Sequence, residues 1–528
     1  MKRASKPSRC ICEIVSSLGL MVLSASVHSS FAAASEMLPP SHLRCGSLQD
    51  PLGIDITRPQ LSWQLQDTRR GVKQTAYEIL VASRAELLEA GKTDVWDSGR
   101  IESAESAGVA YEGPALKSGQ RYYWRVRVWD QDEKLSPYSD ASWWEMGLLS
   151  PNDWRAQWIA NDPQVDREDR RAPVKWISMP AKNAVRQSSE VEDPSQRPAG
   201  ARNSKYEFRL DFDLSEVPKE ATLFITGKET VAAWVNGTSV LEAPPRRPWG
   251  LDPWGSFRKI QVGGLLVSGK NVLAVETTAV GPQWMGPSAM IALLRVTLPN
   301  GSMQRFISGP EWKAASGQSG GWFSGTYDDS SWQGAVAVGD AGQAPFGTPW
   351  PPAAPSALRR VFTIRKTVRW ARLYATALGS YQLHLNGQLV GDEVLAPGWT
   401  DYGKRIVYQT YDVTTKLRQG ENALGALLGA GWYGSGLSWV QQPYNFGPPP
   451  VRLLAKLRIQ YGDGTEDVIA TDDSWKASSC AILGSELYDG ETYDARLEQP
   501  GWDAACVELH PGAAAQGMAN ADAARTNP

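Results

Sequence analysis

Along most of this chain apolar and polar residues alternate in short runs that end at turn residues, the pattern of strands with one buried face. Tyr381, Leu383 and Leu385 alternate with Gln382, His384 and Asn386 and stop at Asn386-Gly387, which predicts a half-buried strand entering a tight hairpin. Val231, Ala233 and Val235 alternate with Ala232, Trp234 and Asn236 before Asn236-Gly237, the same pattern 150 residues earlier. Leu294-Arg295-Val296 and Leu457-Arg458-Ile459, the turns Asn300-Gly301 and Asp463-Gly464, and Trp312 and Trp475 all correspond at an offset of 163. Gly269-Lys270-Asn271 and Gly420-Glu421-Asn422 correspond at 151, so the second copy holds a dozen extra residues before Leu457. That extra loop contains Gly431-Trp432-Tyr433-Gly434 and Gly447-Pro448-Pro449-Pro450. Two copies are too few for a solenoid. The expectation is two related β-sandwiches in tandem, over 206–345 and 356–506.

Residues 40–150 predict a further all-β module. Its clearest strand is Tyr122-Tyr123-Trp124-Arg125-Val126-Arg127-Val128-Trp129, with Tyr122, Trp124, Val126 and Val128 on one face. Residues 151–205 are rich in Asp, Arg, Pro, Ser and Gln, with little periodicity beyond Val174-Lys175-Trp176-Ile177, and are expected to be a linker or surface excursion. A Pro-rich link from Pro349 to Pro355 precedes the second copy, and the stretch 507–528 has the composition of a disordered tail.

The length, 528 residues, predicts three or four domains. Net charge is −3, with 54 basic and 57 acidic residues, so no electrostatic footprint for nucleic acid is present. Lys2, Arg3, Lys6 and Arg9, then an apolar run from Ile14 to Val27, then Ser30-Phe31-Ala32-Ala33-Ala34, follow the order of a secretory signal over residues 1–34. The chain is therefore expected to be exported, to the periplasm or beyond the cell, with no membrane span. Cleavage near Ala34 would leave Cys45, Cys480 and Cys506, too few for a disulfide framework; whether Cys480 and Cys506 pair is open.

Hydrolysis of glycosides needs two carboxyl groups facing across a pocket. The adjacent acids Asp132-Glu133, Asp328-Asp329, Asp392-Glu393 and Asp472-Asp473 all fall in turns between strands, where Asp is favoured for backbone reasons. There is no metal-ligand spacing, phosphate loop or serine elbow, and only four histidines. His384, opposite Leu383 and Leu385, reads as a surface or packing residue. Loop oxygens are plentiful enough for calcium, but no ordered loop motif for it is present. Twenty-three tryptophans serve equally as core filler or as sugar-stacking surface. The loop from Pro244 to Trp254 places Arg247, Trp249, Asp252 and Trp254 together, with Trp284 in a second loop; the rings could stack on sugars with the charged groups as hydrogen-bonding partners, or anchor the loops.

Leu395-Ala-Pro-Gly-Trp-Thr-Asp-Tyr402, Val407-Tyr408-Gln409-Thr410-Tyr411-Asp412-Val413-Thr414 and Gly429-Ala430-Gly431-Trp432-Tyr433 resemble the N-terminal β-sandwich domain of bacterial α-L-rhamnosidases, glycoside hydrolase family 78. The segment from Arg44 to Trp63 and the run Trp124-Arg125-Val126-Arg127-Val128-Trp129-Asp130 resemble the fibronectin type III-like domain that opens the same enzymes. The copy between them resembles an inserted galactose-binding-like jelly roll whose relatives include calcium-dependent rhamnose-binding modules. The resemblance implies an all-β chain, a fibronectin type III-like sandwich followed by two galactose-binding-like jelly-roll β-sandwiches.

In that family, inverting hydrolysis of terminal α-L-rhamnose takes place in an α/α barrel that follows the sandwiches, with glutamates as acid and base. The acid lies in a segment of the type Cys-Pro-x-Arg-Asp-Glu-Arg, which nothing here matches, so no catalytic residue is assigned. The barrel is expected beyond a truncated reading frame, on a separate chain, or lost. Trp399, Asp401, Tyr402, Trp432 and Tyr433 carry the resemblance, either as rings packed inward behind the Pro397-Gly398 turn or as contacts to sugar. The function implied is the carbohydrate-binding or structural N-terminal portion of a secreted α-L-rhamnosidase acting on rhamnose-containing glycans or glycosides. The alternatives are a stand-alone rhamnose-binding lectin-like protein and a bracing subunit for a separately encoded barrel.

Overall fold

Burial follows the alternation residue by residue. In the strand Arg121–Asp130 of the computed structural model, Tyr122, Trp124, Val126 and Val128 are buried and their neighbours are half-exposed. The structure describes residues 37–89, 91–180, 204–227, 230–242, 255–279, 288–343, 346–437, 443–505 and 516–517. The signal-like stretch 1–34, Arg247, Trp249, Asp252, Trp254, Trp284, Cys506 and the stretch 507–528 apart from Gln516–Gly517 lie outside them.

The chain divides into two units, the first formed by residues up to Pro51, Ile56–Ala115 and Arg121–Trp144. It has a three-stranded sheet of Ser41–Cys45, Gln60–Gln64 and Val109–Ala110. Its other sheet is built on the antiparallel pair Gln74–Ala82 and Arg121–Asp130. Leu61, Trp63, Ile79, Trp124 and Trp144 are buried there, with Tyr122 stacked on Trp144 at 5.6 Å.

The second unit holds the two predicted sandwiches. In the first copy one sheet has the order Thr238–Leu241, Thr230–Val235, Gly269–Ala279, Ser204–Leu214, Lys313–Ser316, Gln333–Gly334. In the second copy the corresponding order is Gln388–Val390, Ser380–Leu385, Gly420–Gly429, Ser356–Ile364, Lys476–Ser479. The opposing sheets are built on Glu220–Gly227 against Met290–Thr297 and on Val368–Leu378 against Arg452–Tyr461. Val231, Ala233 and Val235 lie in the first core, and Tyr381, Leu383 and Leu385 in the second.

The same polar devices hold both copies. Asn236 (φ 49°) and Asn386 (φ 54°) sit in the left-handed region that tight hairpins demand. Their amides donate to Leu265 O and the Asn271 side chain in one copy, and to Lys416 O and the Asn422 side chain in the other. Trp312 and Trp475 are fully buried, and each indole N–H is satisfied by a carbonyl, Ile307 O and Ala470 O, at 2.9 Å.

The expectation of a linker over 151–205 is corrected for its described part. Ile159–Ala160 pairs with Arg452–Tyr461 in the second sandwich, and Lys175–Ser178 pairs with Val336–Asp340 in the first. Between them runs the helix Gln164–Arg171, whose buried Asp169 accepts from Arg295 (2.5 Å) and Arg305 (2.7 Å). The helix is held by ion pairs rather than an apolar stripe, so no hydrophobic period marks it. Buried charge recurs where Arg372 grips the Glu145 carboxylate at 2.6 and 3.0 Å, a bidentate pair inside the second unit.

Candidate functional site

The loop from Gly391 to Tyr408 and the extra loop of the second copy meet at one end of the second sandwich. The Pro397-Gly398 turn is fixed by Gly398 N donating to Leu395 O and by the Gln409 side chain donating to Pro397 O. The short helix Gly431–Gly434 follows on the strand Gly420–Gly429. Gly431 has φ +51°, and a Cβ there would lie 2.6 Å from Ser380 N, so the turn requires glycine.

These two loops bring four of the five candidate residues of the second sandwich into one aromatic cluster. Tyr402 and Tyr433 pack inward edge to face at 5.4 Å, and their hydroxyls donate to Gly398 O and Pro448 O. Burial pushes the Tyr402 phenol up to about 12. Trp399 behaves differently: it is 59% exposed and lies flat on the half-buried Trp432, with ring centroids 5.2 Å apart and 8° between the planes. Phe446 wedges beneath, 6.1 Å from Trp399 and 5.5 Å from Tyr402. Val394 and Leu395, on the Trp399 loop, are 87% and 42% exposed.

Asp401 is exposed and occupied with the turn: its carboxylate accepts from Gly403 N at 3.1 Å and pairs with Lys404 at 3.0 Å, which holds its pKa below the usual carboxylate range. Two neighbours carried no strong sequence signal. Phe446 was hidden beside the Pro448-Pro449-Pro450 run. Glu486, on the hairpin Ile482–Glu486 and Gly490–Tyr493, comes beside Ser435 and Gly436, and burial raises its pKa.

Elsewhere, His384 packs against Trp502 at 5.2 Å and bonds Asp503 through Nδ1 at 2.8 Å. Cys480 stands as a free thiol donating to Pro355 O. In the first sandwich Glu207 is buried opposite Glu276 across the strand pair, and burial first, then the Glu276 charge, push its carboxyl up to about 7. Among the described residues no three or more His, Cys, Asp or Glu side chains gather into a metal-sized group. No described helix is long and apolar enough to cross a membrane.

Residues 366–524 match the α-L-rhamnosidase N-terminal domain, and residues 40–150 match the Rha78A-like N-terminal immunoglobulin domain. The chain thus carries domains of the kind found at the N-terminus of α-L-rhamnosidases. An α-L-rhamnosidase of Streptomyces avermitilis is 39% identical over 462 residues, 86% of this chain and 42% of the relative. One from Formosa agariphila is 28% identical over 458 residues, 86% of this chain and 31% of the relative. The solved structure of the Streptomyces avermitilis α-L-rhamnosidase, complexed with L-rhamnose, superposes with a TM-score of 0.66 at 36% identity, covering 91% of this chain and 45% of that one. The chain thus spans less than half the length of the α-L-rhamnosidases it matches. Its opening module is immunoglobulin-type, the broader two-sheet class to which the expected fibronectin type III form belongs.

Proposed function

We propose that this chain is the exported structural portion of an α-L-rhamnosidase acting on rhamnose-containing glycosides, and that the Trp399 end of its second sandwich seats against an α/α-barrel catalytic body. The observation that carries this reading is the exposure of Trp399 together with Val394 and Leu395 on one loop, an apolar surface that a solvated sandwich does not need. The charged group on that loop, Asp401, is engaged with Lys404, so the surface is better suited to a protein face than to a hydroxyl-rich sugar. Export rests on the signal-like order of residues 1–34 and is checked by N-terminal sequencing of the mature protein from the extracellular or periplasmic fraction.

The test mixes residues 35–528 with the part of the Streptomyces avermitilis relative that this chain does not span. The expected result is no turnover of an aryl α-L-rhamnoside by the chain alone, and a raised thermal midpoint of the mixture that Trp399→Asp abolishes. A second reading, a rhamnose-binding face, is favoured by the flat, supported indole of Trp399, the geometry on which pyranose C–H faces stack. Saturable calorimetric binding of L-rhamnose, with or without calcium, that disappears in Trp399→Ala would replace the first reading with the second.

A further inference from the structure

In the first sandwich a carboxylate is buried without being fully partnered. Glu207, on the strand Ser204–Leu214, is 1% exposed, and its Oε2 has no hydrogen-bond partner. Its Oε1 accepts from Gln318 N at 3.3 Å. Directly across the strand pair stands Glu276, whose Oε1 holds Lys205 at 2.8 Å. Side chains opposite one another in an antiparallel pair have Cβ atoms about 5 Å apart, so the two carboxyl groups are within reach of each other. On its other side Glu207 faces Ala315, and beyond Glu276 lies Ala232; neither side chain can donate. The remaining charges on this face are engaged elsewhere. Arg209 pairs with Asp329 (2.9 Å) and Asp211 (3.2 Å), and Lys313 pairs with Asp329 (2.5 Å).

Two carboxylates facing each other in a site closed to water bind one proton between them more readily than they both ionise. A proton on Glu207 Oε2 makes that oxygen a donor, and the acceptor within reach is the Glu276 carboxylate. The row across the sheet is then carboxylic acid, carboxylate and the Lys205 ammonium, with no like charges in contact. Burial and the Glu276 charge both push Glu207 in the direction that such sharing requires. The other partner of Glu207, Gln318, opens the loop that covers the outward face of the sheet. Its side chain donates to Ser316 O and accepts from the Tyr327 hydroxyl at 2.8 Å. Further along this loop Trp322 and Trp332 are buried with Val272, Ala274 and Ala315, and Phe323 stacks on Trp234 at 5.2 Å. Glu207 thus lies at the root of the cover, and water can hydrate its ionised form only by entering there.

We propose that Glu207 and Glu276 share one proton, and that this proton latches the loop 317–332 over the outward face of the first sandwich: its loss loosens the loop from Gln318 onward, and its return closes the cover. Opening the loop brings Glu207 back to its ordinary value of 4.5 from a closed value of about 7, so opening releases a proton. The latch is therefore complete below pH 4.5. Opening grows by up to about tenfold per pH unit as pH rises to about 7 and levels off above that. Residues 204–340 contain no histidine or cysteine that would titrate in the same window. The device lies wholly within the first sandwich and is independent of the reading of the Trp399 surface.

The test follows amide exchange over 317–332 in the full chain between about pH 5 and pH 8, each rate divided by the intrinsic rate at that pH. The expected result is a loss of protection of at least about tenfold between pH 5 and pH 7 and a plateau beyond, while the strand Gly420–Gly429 of the second sandwich keeps its protection throughout. Glu207→Gln, neutral at every pH and still able to donate to Glu276, should hold the loop equally protected across the range. Glu276→Gln removes the facing charge and should move the fall to lower pH without abolishing it. Loop protection that does not change with pH in the parent chain overturns the proposal, as does a fall that persists in Glu207→Gln or one that Glu276→Gln leaves in place. Should Glu207→Gln not fold, the parent profile and the Glu276→Gln shift decide by themselves.

Discussion

Trp475 and Trp399 are indoles of the same sandwich with opposite roles. Trp475 is fully buried with its N–H on Ala470 O, so Trp475→Ala leaves a large cavity and an unpaired carbonyl, and should cost about 3–5 kcal/mol in a urea titration. Trp399→Ala removes a mostly exposed ring and should cost less than about 1 kcal/mol, so any loss of partner or sugar affinity in that variant belongs to the surface. Glu207 makes stability depend on pH. Its ordinary value is 4.5 and its folded value about 7, so the folded state binds the proton more tightly. Its contribution is full below pH 4.5 and is lost as pH rises to about 7. Glu207→Gln should therefore lose less stability than the parent chain between those pH values, as read by the denaturation midpoint of the first sandwich.

At the scale of elements, the turn at Gly431 sets where Trp432 is presented. Gly431→Ala must adopt a left-handed backbone and push against Ser380, and should lower stability by about 1–3 kcal/mol. Near-ultraviolet circular dichroism should report the loosened Trp399–Trp432 pair in the same variant. The sandwiches were legible in the sequence because Asn236-Gly237 and Asn386-Gly387 act locally: the turn chemistry and the alternation before it lie within a few residues of each other. The outward setting of Trp399 was not legible, since the Pro397-Gly398 turn reads the same whichever way the ring faces. The decision is made by Trp432 and Phe446, which reach it from a different loop. The helix Gln164–Arg171 escaped for a related reason. Val165 is its one apolar residue, too few for a stripe, and the arginines that fix Asp169 lie 126 and 136 residues further along the chain.

On the scale of the whole molecule, the second sandwich is discontinuous. Tyr408 donates toward Leu148 O and accepts from Leu148 N across 260 residues, and Gln157 N donates to Thr471 O, so residues before the first sandwich complete the sheet that follows it. The first sandwich is nested inside the second. Its way in and way out are neighbours: Lys175 sits opposite Asp340, and Ala341 N donates to Val174 O. A body whose two ends meet in this way is a cartridge, removable at one seam without stretching either side. Cutting out Asp162–Trp350 and joining the gap with a short Gly-Ser linker should leave a remainder that unfolds cooperatively, and the excised piece should fold by itself with Trp312 still protected from fluorescence quenchers. The same seam would accept a different module in its place, so what the chain carries there can be exchanged while the frame that holds it stays constant.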